Sequence, residues 1–200
     1  IVVWLFCCLY LESISRMEDY ICMEKNFLSL IKTRRSVQAY KSEPILPSKA
    51  LDAVLEAETY APTGGGHQSP TIIAITYPEY RRKIAKLNTD PYYGAPVVIL
   101  VLAYGFVSTY VEDGSCVLEN MMLAAHALGL GTVWVHRERE IFDSESGKDL
   151  LREWKLPETL RGVGAIALGY PVHEAGQPAA RKQNYIVRII CGEEGKHADQ

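Results

Sequence analysis

This 200-residue chain lacks most of the motifs that announce a function outright. Its five cysteines, Cys7, Cys8, Cys22, Cys116 and Cys191, form no Cys-x-x-Cys pair, and with the scattered histidines they give no zinc-type spacing. An odd count of this kind points to reduced thiols and a cytoplasmic protein rather than a disulfide framework. There is no Gly-x-Ser-x-Gly elbow for a serine hydrolase. Gly64-Gly65-Gly66 is followed by His67-Gln68, not by the Lys-Ser/Thr that a P-loop requires. Gly162-x-Gly164-x-x-Ala167 has the spacing of a dinucleotide fingerprint, but Ala165 to Tyr170 reads as strand where that motif needs a helix. Internal repeats and low-complexity stretches are missing too.

Positive charge is not in excess. A formal net charge of −3 gives no electrostatic reason to expect nucleic acid as a partner. Long apolar runs are also scarce. Ile1 to Leu11 is almost wholly apolar, but it is too short to span a bilayer, no basic region precedes it and no small-residue cleavage site follows. We read residues 1–22 as an extension of the folded domain, of which residues 1–16, or all of 1–22, come from upstream readthrough or an over-extended reading frame, with Met17 and Met23 as alternative starts. An ordinary N-terminal extension docked on the core is the alternative, and native peptides from before Met17 would favour it. Residues 23–200 then form one domain, whose parent chain is 48% hydrophobic and 22% charged, ordinary for a globular protein.

Helical and strand periods alternate along that domain. Phe27, Leu28, Leu30 and Ile31 give a helical stripe. Residues 41–47 form a loop, and Leu51, Val54 and Leu55 predict a helix over Ser48 to Tyr60. Ala61 to Pro70 breaks the periodicity, Thr71 to Thr76 is a β-branched strand, and Pro78 to Leu87 is a short polar helix. Ala95 to Tyr104 is a continuous apolar run of strand length, which predicts a central strand buried on both faces. Val117, Leu118, Met121, Met122, Ala125 and Leu128 predict a long helix from Glu112 to Leu130, buried centrally or at a subunit interface. Thr132 to Val135 and Gly162 to Tyr170 are further strands, residues 141–156 are helical, and Tyr185 to Ile190 is a last strand. The class is α+β or α/β in one domain. The longest charge run, Arg137-Glu138-Arg139-Glu140, alternates in sign and predicts a solvated surface.

Candidate ligand residues are few. Arg34-Arg35-Ser36 sets two planar guanidinium groups and a hydroxyl at the end of the first helix, either as an anion site, since the pattern matches phosphate oxygens, or as solvated surface charges. His67 sits in a glycine-rich loop, either as a ligand contact or as an exposed loop histidine. His126, mid-helix among apolar residues, reads as a satisfied core histidine, and His136 ends a strand.

The order of segments adds to these. Arg34-Arg35-Ser36-x-x-x-Tyr40 follows the first helix, then come Ala61-Pro62-Thr63-Gly64-x-x-x-Gln68, Gly94-Ala95-Pro96 before an apolar strand, the long helix, Gly129-Leu130-Gly131-Thr132-x-Trp134, and Gly169-Tyr170-Pro171. Over roughly residues 24–190 this series resembles the FMN-dependent nitroreductase family. The resemblance implies an α+β fold with a central, mostly antiparallel sheet flanked by helices, in an intertwined homodimer that binds FMN at its interface. It implies that Arg34, Arg35, Ser36 and the C-terminal basic residue Arg181 hold the phosphate and ribityl chain. Gln68 matches a polar contact near the isoalloxazine, and Trp134, Val135 and His136 match a segment whose backbone passes the ring. Two departures stand inside the pattern. Gln38 replaces a basic residue, and Gly66 stands where Asn is common, leaving Gly66 or His67 to supply contacts. The implied activity is ping-pong: NADH or NADPH reduces FMN and leaves, and a nitroaromatic, quinone or related small-molecule acceptor takes its place. The flavin then carries the chemistry, which agrees with the missing catalytic triad and metal motif. Two alternatives remain, a flavin-binding storage or sensing module without turnover, and a same-fold enzyme of dehalogenation or flavin fragmentation.

Overall fold

A computed structural model describes residues 27–43, 49–89, 92–174 and 176–189. The apolar N-terminal stretch and its alternative starts lie outside the described residues. Residues 27–33 are helical (α1). Helices α2 (Lys49–Ala57), α3 (Pro78–Leu87), α4 (Tyr110–Ala127), α5 (Glu138–Asp143) and α6 (Glu145–Glu153) alternate with strands β1 (Pro70–Ile75), β2 (Val97–Tyr104), β3 (Gly131–Val135) and β4 (Leu160–Gly169). The strands form one sheet in the order β1-β2-β4-β3, antiparallel at every pairing. This is the expected α+β arrangement of an antiparallel sheet flanked by helices.

The sheet is buried on both faces because β2 is apolar at every position. Val97, Ile99, Val101 and Ala103 face α2 and α4, where Leu118, Met121 and Met122 pack on them. Val98, Leu100 and Leu102 face the other way, toward Ile84 of α3, Phe142 of α5 and Leu150 of α6. A period of two therefore feeds two cores from one strand. The methionines of α4 are core residues, 0% and 4% exposed. β4 carries a register shift, pairing Val101 with Gly164 and Leu102 with Gly162, so that Val163 is the extra residue of a bulge. At Gly162 the sheet meets the backbone of α5, and an added Cβ would lie 2.2 Å from the carbonyl carbon and oxygen of Glu138.

Three expectations change. The helix expected over 141–156 is two helices, broken at Ser144, whose extended backbone (φ −83°, ψ 161°) ends α5 and whose hydroxyl accepts from the Gly147 amide to cap α6. Glu138 is not part of a solvated charge run. It is 0% exposed, turned in at the first turn of α5, where Tyr92 Oη and Asn88 Nδ2 donate to its Oε1 at 2.9 and 3.3 Å. Finally, residues 185–189, the described part of the expected last strand, pair with no strand and stay exposed, Ile189 to 97%. β-Branched composition gives a strand only where an edge supplies hydrogen bonds, and the described chain brings none to this segment.

Candidate functional site

The segment after α1 is tied to the sheet by its backbone. Val37 N–H donates to Thr132 O at 2.8 Å, Lys41 N–H to Tyr170 O at 2.9 Å, and Val172 N–H to Ala39 O at 3.1 Å. Tyr40 locks the bend, its hydroxyl reaching Val37 O at 2.5 Å and Ala167 O at 3.0 Å. The arginines at 34 and 35 are therefore held at the β3 edge rather than on a free loop.

From there a cleft of about 730 Å³ opens, lined by Ile31, Lys32, Arg34, Arg35, Ser36, Pro178, Ala179 and Arg181. It gathers all four residues that the sequence assigns to a phosphate. Arg35 is oriented by backbone carbonyls: its Nη1 donates to Lys32 O at 2.9 Å and its Nε to Gly176 O at 3.2 Å, which joins the two walls. Arg181 donates from Nε and Nη2 to Ala179 O at 3.0 and 2.6 Å. Among the described residues none of the three arginines pairs with a carboxylate. Arg34 Nη1 is buried with no hydrogen-bond partner among them. A guanidinium donor left unsatisfied in a buried position is costly, and an anion in the cleft removes that cost. Lys32, which the sequence reading passed over, adds a further positive charge to the same wall.

The other candidates are placed elsewhere. Gln38 is turned to Tyr93, its Nε2 donating to the phenol oxygen at 3.0 Å, and it lines a small recess beside the cleft. Gly66, His67 and Gln68 lie exposed on the 61–69 loop and line neither space. Gly65 and Gly66 have φ of 59° and 71°, left-handed backbone that glycine adopts without strain, and beyond His67 (φ −67°) Gln68 takes a left-handed φ of 48° that is strained for its side chain. Trp134 packs its ring on the α4 side of the core, with Nε1 buried and unpartnered among the described residues. Val135 is 5% exposed and offers a ligand only its backbone, whereas His136 is exposed where β3 ends.

One anchor escaped the sequence reading. Asp113, in the first turn of α4, is 2% exposed and accepts from the Gly64 amide and the Ser69 hydroxyl, both at 2.8 Å. Burial alone would push its carboxyl up, but these hydrogen bonds outweigh it and hold the pKa below the ordinary carboxylate value. Asp113 thus pins both ends of the glycine loop. Asp113→Ala is expected to destabilise the protein by about 3 kcal/mol, because two buried donors lose their acceptor. A urea titration checks the loss, and faster proteinase K cleavage within 61–69 checks its location.

Two other buried acids behave oppositely. Burial pushes Glu58 up to about 8 and Glu138 to about 7, the latter partly offset by the Tyr92 hydroxyl, from an ordinary value of 4.5. Glu58 Oε2 has no partner among the described residues. Between 4.5 and these values the folded protein binds more protons than the unfolded chain, so stability falls as pH rises through the window. Each group contributes a slope of at most about 1.4 kcal/mol per pH unit. Urea midpoints taken between about pH 5 and pH 8 are expected to decline, and Glu58→Gln is expected to flatten that decline.

The description "Nitroreductase family" matches residues 31–91 and 84–170. The chain belongs to the nitroreductase family. Among the curated relatives of this chain is a protein of Methanothermobacter thermautotrophicus with the provisional name NADH dehydrogenase/NAD(P)H nitroreductase, 30% identical over 159 residues, or 74% of this chain and 79% of that one. Another is FMN reductase [NAD(P)H] of Bacillus subtilis, 26% identical over 176 residues, or 76% and 68% of the two chains. Among solved structures, a nitroreductase with bound FMN from Bacteroides fragilis superposes with a TM-score of 0.70 at 28% identity, covering 82% of this chain and 98% of that one.

Proposed function

We propose that this protein is an FMN-dependent oxidoreductase that takes hydride from NADH or NADPH and passes it, by ping-pong alternation, to nitroaromatics, quinones or related acceptors. The observation that carries this reading is the buried Arg34 Nη1, unpartnered among the described residues, in a cleft shared with Arg35, Ser36 and Arg181. These four residues fit a phosphate group: three guanidinium forks and a hydroxyl, with no carboxylate paired to the forks among the described residues. Bound there, FMN would supply the redox chemistry.

The chain's own contribution is binding and orientation. Arg34, Arg35, Ser36 and Arg181 fix the phosphate end, and the backbone carbonyls behind Arg35 and Arg181 keep those forks pre-set. Gly66, His67 and Gln68, on a loop pinned by Asp113, present backbone and polar groups to the ring, together with the backbone of Trp134 to His136. Gln38 contributes through Tyr93, without a charge. The loop does not line the phosphate cleft within one chain, which favours a site completed by a second copy in a homodimer. The exposed apolar residues Tyr185, Ile186, Val187 and Ile189 are the segment that docks on that copy. The odd cysteine count, read as reduced thiols, suits a cytoplasmic location. Among the described residues no helix is long and apolar enough to cross a membrane.

Steady-state kinetics test the reaction order. Varying NADPH or NADH against a nitroaromatic is expected to give parallel double-reciprocal lines. Converging lines would contradict alternation of donor and acceptor in one pocket.

A further inference from the structure

His126 stands in the last turn of α4, half-buried, against the segment that carries Arg34. Its Nε2 lies 2.9 Å from the hydroxyl of Thr33, the residue before Arg34. Thr33 Oγ1 donates its single hydrogen back along α1 to Ser29 O at 2.8 Å. With that hydrogen on Ser29 O, the hydroxyl accepts from His126 Nε2–H and Nδ1 is the nitrogen open to a further proton; with the hydrogen on His126 Nε2 instead, the clamp between the two side chains is the same. We propose that His126 is a positioning residue of the cleft, clamping Thr33 so that Arg34 is aimed inward, and that its ring takes up a proton when the FMN phosphate binds.

The charges around the ring give the sign. Burial first, then the guanidiniums of Arg34 and Arg35, hold the His126 pKa below the ordinary histidine value. These two are the charged groups acting on the imidazole among the described residues, and no carboxylate there opposes them. The C-terminal end of α4 favours the imidazolium, so the ring is poised between two opposed fields. A phosphate in the cleft neutralises the guanidiniums and adds negative charge of its own. The balance then tips, and the ring holds its proton to higher pH. The bound state thus carries more protons, and FMN binds more tightly as pH falls through the histidine range. Protonation of the phosphate itself, near about pH 6, acts in the opposite direction, so only a comparison of variants isolates the ring.

This inference rests on the reading of the Arg34 to Arg181 cleft as an FMN phosphate site. The test is calorimetric titration of the full-length protein with FMN in two buffers of different ionisation enthalpy. Near about pH 6.5, the unaltered protein is expected to take up about half a proton more per FMN than His126→Gln does. With riboflavin, which lacks the phosphate, the two proteins are expected to give the same count. Thr33→Val is expected to weaken FMN binding several-fold and Thr33→Ser to restore it. Equal proton uptake with FMN in the unaltered protein and His126→Gln overturns the inference while leaving the cleft reading intact. FMN binding that Arg34→Ala leaves unchanged overturns both. Should His126→Gln fail to fold, the imidazole Cε1–H resonances of the unaltered protein give the same reading. One histidine pKa then rises with FMN but not with riboflavin, and no such rise overturns the proposal.

Discussion

Arg34→Ala is expected to raise the FMN dissociation constant about 10- to 100-fold. A charge-assisted hydrogen bond is worth about 1.5–3 kcal/mol, and each 1.4 kcal/mol is tenfold in affinity. Arg34 sits at the upper end because its Nη1 is buried and unpartnered among the described residues, so an anion gains a donor that has lost its water. Arg139→Ala is the matched control. Arg139 is exposed, with its guanidinium 5.7 Å from the Tyr110 ring centroid, outside the cleft. Flavin retained on the two variants after dialysis reads the difference directly. Equal retention would remove the phosphate assignment.

Gly162→Ala is expected to cost about 3 kcal/mol or more, enough to leave much of the chain unfolded. The added Cβ meets backbone, the Glu138 carbonyl at 2.2 Å and the Arg139 nitrogen at 2.6 Å, and neither can swing aside as a side-chain tip can. Relief means lifting α5 from β4, which opens the packing of Ile141 and Phe142 and pulls Glu138 from Tyr92 and Asn88. The urea midpoint is expected to fall with an unchanged slope. Gly176→Ala, where nothing lies within 4 Å of the added carbon, serves as the reference.

The parts of the fold that were legible in the sequence are those where one period dominates. The ten-residue polar helix α3 falls on the expected bounds because Pro78 starts it and its pattern is regular. β2 is identifiable as a doubly buried strand because no polar residue interrupts Val97 to Ala103. The cleft is legible in a different way. Arg34 and Arg181 lie at opposite ends of the domain, and no local pattern links them; the order of motifs does.

What was not legible depends on direction rather than composition. Asp113 looks like any acid favouring a helix N-terminus, and only the fold turns it toward Gly64 and Ser69. Glu138 sits in an alternating charge run, yet the turn at α5 sends it inward while its neighbours Arg139 and Glu140 stay exposed. Ser144 divides two helices that share an apolar stripe, through a capping hydroxyl that the stripe conceals. Residues 185–189 have strand composition without a strand, because composition does not supply the edge.

Anaerobic titration of the FMN-loaded full-length protein with NADH and with NADPH, followed by the flavin's visible absorbance, tests the central claim most directly. Stoichiometric bleaching by at least one nucleotide is expected, with recovery of the absorbance on adding a nitroaromatic or quinone. A flavin-loaded protein that neither nucleotide bleaches would contradict that claim and favour a storage or sensing module. A colourless protein that cannot be reconstituted with FMN would contradict the flavin reading itself.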